Sequence, residues 1–150
     1  MRIAVMGAVT GLLALSAVSG AWAQSPPIDV IATREAGMDL TSAALGAMNL
    51  AVKANVEVKS FAGTGTSIAA WAKVMPSLYP AGSDKGSRPT KAKPEIWTNW
   101  AEFEKDAAAL DTAATKLAEL AKANDTAGFT AQVKEVGAAC GACHKAFRSQ

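Results

Sequence analysis

The chain has 150 residues, half of them hydrophobic and 6% aromatic, with a formal net charge of +2. That length is enough for one domain with a buried core. The charge is too small to argue for nucleic acid or an anionic membrane as a partner, and abundant Ala with sparse β-branched residues disfavours a sheet protein.

Residues 1–23 read as a secretory signal peptide. Arg2 is a short positive region, Ile3 to Val18 is an apolar run, and Ala21-Trp22-Ala23 is a small-residue cleavage site. A transmembrane anchor is the alternative, disfavoured by that small-residue end and by the lack of a stop-transfer charge. Cleavage would leave residues 24–150 as a single domain with no stable membrane insertion. It would also remove Arg2, lowering the formal charge to +1. The compartment expected is the bacterial periplasm.

A first helix is predicted from about Ile28 to Lys59, because Ile31, Met38, Leu45 and Val52 recur every seven residues. Gly63 and Gly65 are expected to break it. A second helix, about Thr66 to Leu78, carries Ile68, Trp71, Met75 and Leu78 on one stripe, with Pro76 near its end. Residues 79–93 contain Pro80, Gly82, Ser83, Gly86 and Pro89 and read as a long loop, either a solvated crossover or a cover for a cofactor edge.

The third helix should run unbroken from Pro94 to about Asn124. Ile96, Trp100, Phe103, Ala107, Leu110, Ala114, Leu117 and Ala121 alternate steps of four and three along it. Asp125-Thr126 offers an N-cap for a fourth helix. Phe129, Val133, Val136, Cys140, Cys143 and Phe147 form its stripe. The fold class expected is all-α: an antiparallel four-helix bundle with a long crossover between helices 2 and 3.

The motif on the last stripe is Cys140-Gly141-Ala142-Cys143-His144, which reads as a c-type haem attachment site. Two thiols add to the two haem vinyl groups, and the histidine binds the iron from one side. At helical spacing all three share a face. The chain holds two cysteines and one histidine in all, so a zinc site would have to recruit a carboxylate. A redox dithiol or a structural disulfide is the remaining alternative, although the strand–helix context of a thioredoxin-like motif is missing. With a haem expected, Arg34, one turn before Met38, has two readings. It snorkels at the seam edge, or it grips a haem propionate with two hydrogen bonds. Export agrees with thioether attachment, and two propionates would make the loaded protein slightly acidic on formal count.

Taken together, the chain resembles the class II c-type cytochromes, the cytochrome c′ and cytochrome c-556 group, over about residues 25–150. The resemblance rests on the motif's place near the C-terminus, within Val136 to Arg148, and on Thr33-Arg34-Glu35-Ala36-Gly37-Met38 in the first helix. It rests also on Tyr79-Pro80-Ala81-Gly82-Ser83-Asp84 followed by Lys93-Pro94-Glu95-Ile96-Trp97. The resemblance implies one covalent haem c with its iron. Cys140 and Cys143 match the thioether cysteines and His144 the proximal ligand. Arg34 and Glu35 match positions that contact the haem and its propionates, Ser83 and Asp84 match crossover positions near the haem, and Met38 matches the position facing the open side of the iron.

Two functions follow from that resemblance. If Met38 binds iron, as in c-556-like members, His144 and Met38 make a six-coordinate electron carrier that serves redox partner proteins and is not an enzyme. This is the main reading. The alternative is a five-coordinate cytochrome c′ that binds nitric oxide or carbon monoxide, with Met38 as an apolar wall. Met48 and Met75 have core-stripe explanations and are weaker ligand candidates. Members of the group often pair as homodimers through the first two helices, which a single sequence does not display. Lys85, Arg88, Lys91 and Lys93 read first as a solvated face of the loop, with steering of an acidic partner as the other reading.

Overall fold

The computed structural model describes residues 28–86 and 88–150. The signal-peptide expectation for residues 1–23 lies outside them. Helix α1 spans Val30–Ala54, α2 Ala62–Val74, α3 Glu95–Thr98, α4 Trp100–Lys122 and α5 Thr126–Phe147. The long helices α1, α2, α4 and α5 form the four-helix bundle. Among the described residues the only β pairing is a single bridge between Ala92 and Arg148. No helix of the described residues is long and apolar enough to cross a membrane.

The helix ends follow from local chemistry. Asp29 caps α1, its Oδ1 accepting from the Ile31 and Ala32 amides at 3.0 and 3.1 Å. The first helix stops at Asn55, which turns left-handed at φ 52° and donates its amide back to Ala51 and Val52 carbonyls. A left-handed residue at that position is a common helix terminator. The break therefore comes before Gly63 and Gly65, and the expectation that these glycines break the helix is corrected: both lie inside α2. Gly65 is there for packing. A Cβ added to it would come within 2.8 Å of the Ala118 backbone nitrogen, so its bare Cα lets α2 press against α4.

The third expected helix is in fact two. Asn99 leaves helical geometry at φ −128° and ψ 52° and separates α3 from α4. The short α3 is turned so that Trp97 Nε1 donates to the Tyr79 and Pro80 carbonyls, both at 3.0 Å. The seam beyond it is as expected, with Phe103, Ala107, Leu110, Ala114, Leu117 and Ala121 all buried. Asp125 caps α5 by accepting from the Gly128 amide at 2.9 Å.

The core has two parts. One end of the bundle packs Met48, Val58, Ile68, Leu110, Leu117, Phe129, Val133 and Val136. The other gathers Met75, Tyr79, Ile96, Phe103 and Phe147, with Met38, Trp71 and Cys143 half-buried against them. The crossover loop is bound to the end of α5. The Lys93 amide donates to the Phe147 carbonyl at 3.0 Å, and the Ser149 amide donates to the Lys91 carbonyl at 2.8 Å.

Candidate haem site

Cys140, Cys143 and His144 lie on the last two turns of α5, where the stripe that began with Phe129 reaches the second core. Both thiols are free and half-buried. They line a cavity of about 300 Å³ together with His144, Met38, Leu45, Trp71, Met75 and Leu110. A smaller cavity of about 100 Å³ lies beside it, walled by Arg34, Tyr79, Phe103 and Phe147 among others. Met38, Cys143 and His144 line both.

The electrostatics separate the readings of the motif. Burial raises the Cys140 thiol above its ordinary range. Burial, reinforced by Asp106 and Cys140, pushes Cys143 up to about 12. A redox dithiol requires a lowered thiol that reacts as thiolate, so this pair is tuned the wrong way for that chemistry. Burial, with Arg148 nearby, lowers His144 and favours the neutral imidazole that can donate to a metal. Among the described residues no three His, Cys, Asp or Glu side chains converge on one point as a metal cage. Two neutral thiols and one neutral imidazole on a single apolar cavity fit a flat, apolar, covalently held ligand with a metal at its centre. Haem c therefore fits the residues present. Cys140 and Cys143 would hold its edge and His144 its iron, which supplies ligand binding and one-electron chemistry.

Arg34 is 2% exposed, and its guanidinium is bound by the crossover loop. Its Nη1 donates to the Leu78 carbonyl at 3.4 Å and to Ser83 Oγ at 3.1 Å. Its Nη2 donates to the Ser83 carbonyl at 2.8 Å and to Thr90 Oγ1 at 3.0 Å. The guanidinium also lies 4.5 Å from the centre of the Tyr79 ring. Burial lowers Arg34 and raises Tyr79, because each charged form has lost water. Arg34 thus ties α1 to the crossover loop from inside while walling the smaller cavity.

Glu35 pairs at the surface with Arg88, Oε2 to Nε at 3.4 Å. Ser83 is buried beneath Arg34. Neither of them, nor Asp84, lines either cavity. Met48 is fully buried in the closed core, away from the cavity, whereas Met75 lines it. Asp106 lines the cavity too and had no signal in sequence, since it sits off the apolar seam of α4. Burial, then Glu102, raises its carboxyl. Trp71, read from sequence as core, lines the cavity with an indole nitrogen that is buried and lacks a hydrogen-bond partner.

The fold and the site together define a covalent-haem protein of the four-helix-bundle kind. The chain belongs to the cytochrome c′ family, whose sequence model matches residues 29–148. It is 30% identical to cytochrome c′ of Allochromatium vinosum over the full length of both chains. Cytochrome c-556 of Agrobacterium tumefaciens is 42% identical over 83 residues, a stretch covering 55% of this chain and 65% of that relative. A solved cytochrome c′, described for its ligand-controlled dimer dissociation, superposes with a TM-score of 0.77 at 30% identity, covering 85% of this chain and all of that one. This chain is accordingly a c-type cytochrome that carries covalent haem c.

Proposed function

We propose that this protein is a periplasmic cytochrome c′ that binds nitric oxide or carbon monoxide at the iron face opposite His144. One observation carries the reading. Met38 belongs to an apolar wall with Leu45, Trp71, Met75 and Leu110, which accounts for its side chain without a bond to iron. Such a wall admits a small uncharged diatomic and offers little to a charged or bulky ligand. Binding of this kind needs no acid–base pair. The match over the full length of a cytochrome c′ supports it further. A homodimer is part of the same proposal, supported by the dimer of the solved relative.

The second reading is the six-coordinate electron carrier. It is favoured by the fact that Met38 shares both cavities with His144, and by the identity to cytochrome c-556. Visible and electron paramagnetic resonance spectra of the purified holoprotein decide between them. The expected result is a high-spin spectrum, ready carbon monoxide binding, and no change of spin state in Met38→Ala. A low-spin spectrum that Met38→Ala converts to high-spin would replace the proposal with the electron carrier.

A further inference from the structure

One side chain separates two hollows of the bundle. Trp71 on α2 lines the larger cavity, and it also lines a groove of about 210 Å³ between α1 and α2. Thr41 is the other residue common to both. Leu40 is 72% exposed and Ser67 is exposed, so the groove opens to solvent. No charged side chain lines it, and Leu40, Ala44 and Ile68 make its walls apolar.

The way the ring is held sets what it can do. Its six-membered edge lies over the bare Cα of Gly37, where a Cβ would collide with three of its carbons. Gly37 lines the groove and Met38, the next residue, lines the cavity, so the ring edge closes the seam between them. The Thr41 hydroxyl is engaged elsewhere, donating to the Gly37 carbonyl at 2.8 Å. Trp71 Nε1 is buried without a hydrogen-bond partner, the only such side-chain atom among the described residues. Trp97, by contrast, is fixed by two carbonyls. Buried donors are almost always paired. An unpaired one leaves packing alone to hold the ring. Turning the indole away from Gly37 therefore breaks no hydrogen bond, and it joins the groove to the cavity.

We propose that Trp71 is a gate through which a small uncharged diatomic passes from the α1–α2 groove into the cavity beside Met38. The inference rests on the ligand-binding reading and deepens it, by naming a route and the residue that controls it. The residues that would hold the haem enter the cavity from α5. A ligand bound for the iron face opposite His144 therefore approaches from the α1–α2 side. An apolar groove without charge passes nitric oxide or carbon monoxide and holds back ions, which would have to shed their water. The gate acts on passage alone, and no bond forms or breaks as the ring swings.

Flash photolysis of the carbon monoxide adduct of the holoprotein tests the gate. Trp71→Ala should raise the association and dissociation rate constants together by about tenfold, because a gate changes the rate of passage and not the equilibrium. Ser67→Trp fills the groove from an exposed position outside the cavity and should lower both constants together. The dissociation constant and the Soret spectrum should stay as in the parent. Xenon under pressure, in crystals of the holoprotein, should occupy the groove against Ile68 and Trp71. Parental rates in Ser67→Trp would overturn the proposal. So would a shifted dissociation constant with unchanged association in Trp71→Ala, which would make Trp71 a wall for the bound ligand. A groove that excludes xenon because a second copy of the chain covers it would overturn it equally. A holoprotein that binds no carbon monoxide at equilibrium fails the ligand-binding reading, whereas one that binds it at parental rates in both variants fails the gate alone.

Discussion

Around Met48, Val58, Leu117, Phe129 and Val136 the bundle is sealed, and each of these side chains is at 0% exposure. Around Tyr79, Phe103 and Phe147 the same helices enclose space instead. Phe103 meets Tyr79 edge-on at 4.9 Å and Phe147 at 5.4 Å between ring centres. Rings locked in edge contacts brace a wall without collapsing into the gap beside it. Aliphatic side chains at the sealed end interdigitate and leave none. The contrast separates two jobs within one bundle: the sealed end supplies stability, and the aromatic end gives up some packing and leaves a cavity of about 100 Å³ beside Cys143 and His144.

The contrast can be broken most sharply at Phe129. Phe129→Ala leaves a void in the sealed end and should cost about 3–5 kcal/mol by denaturant unfolding. A loss below about 1 kcal/mol would mean that this end is not the stabilising one. At the open end, Arg34→Ala removes four hydrogen bonds and leaves buried carbonyls unpaired, for an expected loss of about 2–4 kcal/mol. Faster amide exchange should accompany it across residues 79–90.

The pH dependence sharpens the comparison further through Cys143, which packs against the open end. In the haem-free chain Cys143 titrates near 12, against 9.0 for a free thiol. The folded state therefore keeps a proton that the unfolded chain has released. Stability is intact below about pH 9 and falls as pH rises toward 12, by at most about 1.4 kcal/mol per unit and by less where solvent reaches the sulfur. Cys143→Ser should flatten that slope in thermal melts between pH 8 and pH 11, and the thioether of the holoprotein should flatten it as well. Glu35→Gln is the smallest perturbation. It breaks one exposed ion pair and should stay within about 0.5 kcal/mol of the parent, distinguishing the buried tie made by Arg34 from the surface one made by its neighbour.

How much of this was legible in sequence depended on the range of the interaction. The Cys140–Cys143–His144 spacing, the seam from Phe103 to Ala121 and the cap at Asp125 all act within a few residues. Each is therefore legible in register from the sequence alone. Gly65 was misread because its bare Cα answers to Ala118 on another helix, and a glycine reads locally as a breaker. The Asn99 break was missed because an uninterrupted stripe does not reveal that Trp97 is pulled toward the carbonyls of Tyr79 and Pro80.

The chain's own order of residues determined that this is a helical bundle with a haem anchored on its last helix. Helical periodicity and thiol chemistry are both properties of short segments. Only the tertiary structure decided that Arg34 holds the crossover loop, that Asp106 and Trp71 face the larger cavity, and that Lys91 and Arg148 line the smaller one beside it. Those contacts join residues many positions apart in the chain, and burial alone sets which of their partners replaces water.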